Sequence, residues 1–195
     1  MSDVIVLFSG GLDSTVLLYQ AMKEGRLHSA LWFRYAHPAA PHEHRAASEI
    51  VRQLYTRGVE VPLIEISPPL FGAEAMHLGA GEPGARVVAA RNLVFLSLAV
   101  NYAASRGARE VWYGANLADA ADYPDCRPDF VGKMGLLSAP WGVEVRAPLI
   151  AMSKEAILAR AAALEVPVEL TWSCYEPRLG APCGTCNSCK SNQQH

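Results

Sequence analysis

Short apolar runs alternate along the chain with longer segments in which apolar residues recur at helical spacing. Several of the longer segments end directly before a glycine, the residue that most often terminates a helix. The predicted strands are 4–8, 30–35, 59–66, 110–113 and 143–146. The predicted helices are 12–24, 43–57, 92–105, 129–137 and 154–164, the last capped by Ser153. Strands that alternate with helices predict an α/β fold in which helices cover both faces of an open parallel sheet.

The loop after the first strand carries a clear chemical signal. It reads Ser9-Gly10-Gly11-Leu12-Asp13-Ser14-Thr15 and leads straight into a helix. Backbone N–H groups and the helix dipole favour an anion at such a point, and glycine lets the backbone approach that anion closely. The glycine pair alone would indicate only a tight turn with a helix cap. The lysine of a Walker A loop and the third glycine of a dinucleotide fingerprint are missing, so neither of those sites is predicted.

Composition narrows the class of protein further. Of the 195 residues 51% are hydrophobic, and 17 basic against 19 acidic residues leave a formal net charge of −2. This balance is typical of an ordinary globular protein, and no basic surplus predicts direct binding to nucleic acid. No apolar stretch approaches membrane length, and the first residues lack the basic segment and apolar core of a signal peptide. We therefore expect a cytoplasmic protein that meets no membrane and whose five cysteines are reduced.

Four of those cysteines lie close together near the end of the sequence: Cys174, Cys183, Cys186 and Cys189. Four thiolates, three of them spaced by two residues, suit a closed tetrahedral site, and zinc is the metal that prefers such a site. Gly184 allows the tight turn that wraps a metal. An iron–sulfur cluster shares these spacings, and unliganded thiols are a further alternative. In the zinc interpretation the metal is structural and stabilises a tail with few apolar residues of its own.

Taken together, the motifs resemble one enzyme family. The loop from Ser9 to Thr15 resembles the PP-loop of the ATP pyrophosphatases, which form adenylates. Trp172-Ser173-Cys174-Tyr175 and the three cysteines that follow resemble the tail of the 7-cyano-7-deazaguanine synthase (QueC/ExsB) family within that superfamily. Further matches, in family order, are Arg91-Asn92, Asp119, Tyr123-Pro124-Asp125-Cys126-Arg127, Phe130, and Pro148-Leu149 ahead of Lys154. The chain is therefore identified as a member, in part divergent, of this family.

The resemblance implies a fold and an activity. The fold is an adenine nucleotide α-hydrolase-like PP-loop domain over residues 1–170, with a zinc-binding tail over 171–195 in the same compact domain. The activity is adenylation of 7-carboxy-7-deazaguanine with release of pyrophosphate, amidation with release of AMP, and dehydration of the amide to 7-cyano-7-deazaguanine with a second ATP. A ligase that joins the activated deazaguanine to another amine, such as a protein N-terminus, is one alternative. A tRNA-modifying PP-loop enzyme and a non-catalytic nucleotide-binding subunit are the others.

The resemblance also implies which residues serve the reaction. The ATP-binding residues are Phe8, Ser9, Gly10, Gly11, Leu12, Asp13, Ser14 and Thr15, and the catalytic residues are Asp13, Ser14, Arg91 and Lys154. The substrate-binding residues are Asp119, Tyr123, Asp125, Cys126 and Arg127. Arg91 is singled out on physical grounds as well, because a cation at the start of a helix opposes the dipole and suggests a ligand anion nearby. The implied partners are small molecules: the acid, ATP with Mg²⁺, and ammonia or another amine. A homodimer and a protein acceptor remain open.

One region departs from the family pattern. Tyr35-Ala36-His37 stands where Tyr-Gly-Gln is usual, a segment bounded by Pro38 and Pro41 is inserted, and Ala47 stands where a glutamate is usual. Loss of that carboxylate removes an acceptor and base that could orient ammonia. We therefore expect activation of the acid to be retained and free ammonia to be a poor substrate. His37, His42 and His44 could form a second metal site, although a polar helix start explains the last two equally well.

Overall fold

The computed structural model describes residues 2–70 and 88–192. Five parallel strands form one sheet in the order β3-β2-β1-β4-β5. The strands are β1 (Val4–Leu7), β2 (Leu27–Phe33), β3 (Leu63–Ile66), β4 (Glu110–Trp112) and β5 (Glu144–Arg146). The helices are α1 (Leu12–Lys23), α2 (Ala40–Thr56), α3 (Arg91–Arg106), α4 (Asp119–Asp122), α5 (Pro128–Ser138), α6 (Lys154–Ala163) and α7 (Asn187–Asn192).

The predicted strands and helices are all present, but three bounds are wrong by several residues. β2 begins at Leu27 rather than at residue 30, and β3 begins at Leu63 because Pro62 before it has no N–H to donate to a neighbouring strand. α2 begins at Ala40 rather than at Glu43, since Pro41 fits the first turn of a helix. The short helices α4 and α7 were not predicted. Most of the loop expected between residues 67 and 90 lies outside the described residues.

Both faces of the sheet are buried, as the continuous apolar strands predict. Val4 and Val6 point to one side, where they pack with apolar residues of α1, α2 and α6. Ile5 points to the other side, where α3 and α5 cover the sheet. This alternation is the two-residue repeat of a strand. The predicted α/β fold with helices on both faces is confirmed. Within residues 2–70 and 88–192, no helix combines the length and the apolar character needed to cross a membrane.

The strand order places a crevice at one edge of the sheet. The chain leaves β1 towards β2 on one side and reaches β4 on the other, so the connections diverge at the carboxyl ends of β1 and β4. A parallel sheet binds its ligands at such a point. The segments that follow these two strands, 8–11 and 113–118, therefore define the candidate site.

Candidate active site and cysteine cluster

The loop after β1 is held in shape by its own hydroxyl groups. Ser14 Oγ donates to the carbonyl oxygen of Gly11 at 2.9 Å, and Thr15 Oγ1 donates to the same oxygen at 2.8 Å. The backbone N–H of Ser9 donates to Ser14 Oγ at 3.2 Å. Thr15 is fully buried, as are the Phe8 and Leu12 side chains at 1% and 3% exposure. Three of the predicted ATP-binding residues therefore have buried side chains that stabilise the loop. Phe8 and Leu12 could contact a ligand only through main-chain atoms.

Gly10 is the point at which α2 meets this loop. Its φ is +82°, and a Cβ placed there would lie 2.6 Å from the backbone nitrogen of Ala47 and 2.8 Å from the carbonyl oxygen of Glu43. No residue other than glycine fits both the backbone angle and the space. Ala47 itself is fully buried at this contact. Position 47, where the family pattern has a glutamate, therefore packs against the loop after β1.

Asp13 and Lys154 meet in the crevice although they are 141 residues apart in the sequence. Lys154 Nζ lies 3.2 Å from Asp13 Oδ1 and 3.4 Å from Asp13 Oδ2. Asn116, which follows β4, donates from Nδ2 to Asp13 Oδ2 at 3.3 Å and is buried at 4% exposure. Asn116 is a site residue that the sequence reasoning missed. A polar residue just beyond a buried strand, at the ligand-binding edge of a parallel sheet, was the available signal.

Asp119 lies beside this group at the start of α4. Its backbone N–H donates to Asn116 Oδ1 at 3.2 Å. Burial raises the pKa of Asp119 to about 6, and the negative charge of Asp13 adds to that effect. A hydrogen bond from the Asn116 backbone to the Asp119 carboxyl group and the charges of Lys154 and Arg91 oppose it. Asp13, Asp119, Lys154 and Arg91 therefore share one electrostatic environment, as expected of residues around a charged ligand.

A second group of polar side chains lies where β2 ends. Arg91, the first residue of α3, donates from Nη1 to Tyr35 Oη at 2.9 Å. The ring of Tyr35 stacks on that of His37 with centroids 4.2 Å apart. His37 is buried, and its Nε2 lies 3.6 Å from Oε2 of Glu43 in the first turn of α2. The position of Arg91 suggested a nearby anion. Within the protein, Tyr35 and the negative charge of Glu43 both stabilise its guanidinium group.

Glu43 is a second residue that the sequence reasoning did not select. Burial raises the pKa of its carboxyl group to about 7, against the opposing charge of Arg91. It precedes Ala47 by one helical turn, so both residues lie on the same face of α2. A carboxylate thus remains in this region, supplied from one turn earlier. The expectation that free ammonia is a poor substrate was based on the carboxylate missing at position 47, and it stays a prediction.

The five predicted substrate-binding residues divide into two groups. Asp119 and half-buried Tyr123 are close enough to Arg91 for its positive charge to lower the pKa of each. Asp125 instead accepts a hydrogen bond from the backbone N–H of Asn92 at 3.2 Å and so caps the start of α3. Cys126 is buried behind it, and Arg127 is exposed with Nε bonded to the carbonyl oxygen of Ala120 at 2.9 Å. Burial raises the pKa of Cys126 to about 12, so it remains a neutral thiol at pH 7.

The four cysteines of the tail are gathered at one point. Their Sγ atoms all lie within 4.8 Å of one another, and those of Cys183 and Cys189 are 3.9 Å apart. A tetrahedral zinc with bonds of about 2.3 Å holds its sulfur atoms about 3.8 Å apart, and a cysteine cluster of this size could hold a metal ion. Cys126 lies outside the cluster, as expected. An iron–sulfur cluster would use the same four donors.

Backbone N–H groups point at these sulfur atoms. Thr185 N and Cys186 N donate to Cys183 Sγ at 3.5 and 3.3 Å, and Gly184, which separates Cys183 from Thr185, has a φ of +72°. Burial acts to raise the pKa of Cys183, but these hydrogen bonds and that of the Thr185 hydroxyl outweigh it and lower the pKa to about 6. The turn therefore stabilises a thiolate, which is the form that binds a metal.

Trp172 connects the cysteine cluster to the loop after β1. Its backbone N–H donates to the carbonyl oxygen of Gly10 at 3.0 Å, and its indole Nε1 donates to the carbonyl oxygen of Cys174 at 2.8 Å. Its ring stacks on that of His42 in α2 at 4.2 Å. His44 instead packs edge-on against Trp32, and His37 stacks on Tyr35. The three histidines thus have separate partners, and in the part of the chain that the structure describes only the cysteines gather as a metal site.

Known proteins match the chain over nearly its whole length. The family model described as queuosine biosynthesis protein QueC matches residues 3–195. The 7-cyano-7-deazaguanine synthase 1 of Colwellia psychrerythraea is 37% identical over 96% of this chain and 90% of that protein. The 7-cyano-7-deazaguanine synthase of Marinobacter nauticus is 38% identical over 97% of this chain and 90% of that protein.

Solved structures support the fold more distantly. NMN synthetase from Francisella tularensis superposes with a TM-score of 0.54 at 16% identity and covers 98% of this chain and 72% of that protein. The tRNA thiolase NcsA from Methanococcus maripaludis, described with its 4Fe-4S cluster, gives a TM-score of 0.50 at 16% identity over 97% of this chain and 63% of that protein. At such identities these likenesses concern the fold alone.

Proposed function

The chain belongs to the QueC family, and we propose that it is an ATP-dependent ligase that converts 7-carboxy-7-deazaguanine into 7-cyano-7-deazaguanine. One observation carries the proposal at the level of residues. Lys154 and Asp13 meet beside the glycine loop at which α1 begins, in the crevice between β1 and β4. This arrangement suits a polyphosphate, and the family match supplies the identity of the acid.

ATP is proposed to lie with its pyrophosphate against the loop at Ser9, Gly10 and Gly11 and the start of α1. Backbone N–H groups and the dipole of α1 favour the negative charge there. Lys154 neutralises charge that develops on the leaving pyrophosphate, and the hydroxyl of Ser14 fixes the loop by its bond to Gly11. Asp13 and, when ionised, Asp119 are the carboxylates that would hold Mg²⁺, which supplies further positive charge to the phosphates when bound.

The deazaguanine acid is proposed to lie between this loop and Arg91. Its carboxylate oxygen attacks the α-phosphorus, and the bond to pyrophosphate breaks with its electron pair. An acyl-adenylate results, in which AMP is a good leaving group. Asp119 can accept N–H groups of the guanine-like ring, and Tyr123 can stack on that ring. Asp125 and Cys126 support this wall through their contacts with Asn92 at the start of α3.

Ammonia then replaces AMP and forms the amide. A second ATP activates the amide oxygen as its adenylate, and loss of AMP and a proton leaves the nitrile. The same phosphate contacts serve both activations. The family match favours this sequence over joining to a different amine, over direct tRNA modification and over a non-catalytic role.

Cys174, Cys183, Cys186 and Cys189 are proposed to bind one structural zinc ion. Four thiolates leave no open coordination position, so no reaction step is assigned to the metal. The tail packs on the ATP loop through Trp172, which supports its place in the same compact domain. Metal analysis of reduced protein should give one zinc per chain, and iron with acid-labile sulfide would replace this assignment.

Release of AMP and pyrophosphate from ATP tests the function directly. Release should depend on 7-carboxy-7-deazaguanine, and with ammonium mass spectrometry should show the nitrile with two ATP consumed per product. Release that depends on tRNA would favour the tRNA-modifying alternative. No release by well-folded, metal-loaded protein would favour the non-catalytic one. A retained amide or a stable adenylate in place of the nitrile would favour joining to a different amine.

A further inference from the structure

The Glu43–His37 pair is a buried acid–base group that the phosphate chemistry does not use. The Glu43 side chain is only 20% exposed and that of His37 only 3%, and Oε2 and Nε2 are 3.6 Å apart. A paired carboxylate and imidazole are costly to bury, and such pairs concentrate at functional sites.

The position of Glu43 connects it to the reacting atoms. Its carbonyl oxygen would lie 2.8 Å from a Cβ on Gly10, so its backbone contacts the ATP loop directly. Its carboxyl group lies in the field of Arg91, on the side of the proposed deazaguanine pocket. Glu43 is therefore next to the loop proposed for the phosphates through its backbone, and its carboxyl group is close enough to Arg91, which borders the proposed acid pocket, to feel its charge.

The groups that face Glu43 come from two other elements. His37 and Tyr35 follow β2, and Arg91 begins α3. Arg91 donates its hydrogen bond to Tyr35 at 2.9 Å. It therefore acts on the Glu43 carboxyl group through its positive charge, which lowers the pKa of that group. The balance of burial and this charge leaves the pKa of Glu43 at about 7, where a general base is most effective at neutral pH.

The chemistry of amidation requires such a base. Near neutral pH ammonia is present mainly as ammonium, which has no lone pair and cannot attack an acyl-adenylate. Lys154 and Arg91 are cationic and cannot take its proton. Asp13 is paired with Lys154, and Asp119 is proposed to hold Mg²⁺ or the guanine-like ring. Resting on the proposed function, we infer that Glu43, assisted by His37, is the base that deprotonates the amine substrate.

Protons and electrons balance in this step. Ammonium gives one proton to the Glu43 carboxylate, and the lone pair that is freed forms the C–N bond with the acyl carbon. The C–O bond to AMP breaks, and its electron pair leaves with the AMP phosphate. The nitrogen then loses a second proton to neutral His37, which becomes imidazolium. The amide, AMP, a protonated Glu43 and a protonated His37 are the products, and water restores the pair.

Two amines distinguish this role from a structural one. Hydroxylamine is largely uncharged at neutral pH and attacks adenylates without first losing a proton, whereas ammonium must lose one. With Glu43→Gln, the rate of amide formation should fall by about 100-fold or more relative to the rate of hydroxamate formation. His37→Asn should shift the same ratio in the same direction by a smaller factor. Glu49→Gln, on the same helix but paired with Arg52 at the surface, is the matched control and should leave the ratio as in wild type.

The pH profile gives an independent measurement. In wild type, ammonium-dependent amide formation should fall below about pH 7 as the Glu43 carboxylate is protonated. In Glu43→Gln that inflection should disappear, and the remaining rate should follow the concentration of free ammonia.

Equal loss of amide and hydroxamate in Glu43→Gln would overturn the inference, because the residue would then serve activation or folding. An unchanged ratio would overturn it as well. If Glu43→Gln does not fold, His37→Asn takes its place: equal loss of amide and hydroxamate, or an unchanged ratio of the two, would overturn the inference. Wild-type protein that forms neither product from the acid and ATP would instead refute the proposed function itself, so the two failures are distinguishable.

Discussion

The crevice at the edge of the sheet and the cysteine tail are stabilised in opposite ways. In the crevice, side chains from distant parts of the sequence meet because a buried sheet brings their elements together, as with Asp13 and Lys154. In the tail, four cysteines within sixteen positions gather, and the buried residues among the described side chains of 173–190 are Cys174, Cys186 and Cys189. Function should therefore be separable from folding in the crevice, whereas in the tail folding depends on the ligands themselves.

Substitution in the crevice should give the largest effect and the smallest structural change. Lys154→Ala removes a charge that meets Asp13 and, as proposed, the phosphates, so acid-dependent AMP release should fall by about 100- to 1,000-fold. Asp13→Asn and Ser14→Ala should also lose turnover while the circular dichroism spectrum is retained. Lys133→Ala breaks a surface pair with Asp129 and is the control. Full activity of Lys154→Ala would remove Lys154 from the phosphate site.

Substitution in the tail should change structure and metal content first, and activity only as a consequence. Cys186→Ser should abolish stoichiometric metal binding and expose residues 171–190 to limited proteolysis, while the sheet domain stays resistant, because few other buried groups stabilise the tail. Activity should fall with the metal content. Cys126→Ser should retain the metal, since its Sγ lies outside the cluster. A metal-free Cys186→Ser protein whose tail resists protease as wild type does would refute this account.

Trp172 tests whether the two regions are coupled. Trp172→Phe keeps an aromatic ring for His42 but removes the indole N–H that bonds to Cys174. Loss of one such bond costs about 1 kcal/mol, so the KM for ATP should rise about five-fold with one metal per chain still bound. Trp141→Phe, the same substitution at an exposed tryptophan that follows α5, is the matched control. An unchanged KM would mean that the tail and the ATP loop function independently.

Asp119 tests the cost of the functional charges in the crevice, and its effect should appear in stability rather than in metal content or in the KM for ATP. Its folded-state pKa is about 6 against an unfolded value of 3.8, so ionisation opposes folding as the pH rises between those values. Asp119→Asn should therefore raise the free energy of unfolding by up to about 3 kcal/mol at pH 8 and by about half as much at pH 5. Urea unfolding at both pH values measures this. Asp122→Asn, an exposed acid of the same short helix, should change neither value, and an equal gain for both variants would contradict the burial argument.

The sequence determined those features of the protein that local pattern can carry. Alternation of strands and helices fixed the fold class, because only a parallel sheet buried on both faces satisfies it. The loop from Ser9 to Thr15 and the four cysteines identified the family, since each is a contiguous motif whose chemistry depends on spacing. The cap of α6 by Ser153 was also predictable, and Ser153 Oγ accepts from the N–H of Ala156 at 3.3 Å.

Only the tertiary structure decided which polar groups share a space. Asn116 reaches Asp13 across 103 positions, and Arg91 reaches Tyr35 across 56 positions. Asp125 caps α3 from a different segment, and Glu43 supplies a buried carboxylate where the sequence pattern indicated that one was lost at Ala47. A hydrogen bond or a pKa depends on distance and burial rather than on spacing along the chain. Both quantities are set when the strands assemble into the sheet, so a local sequence pattern does not contain them.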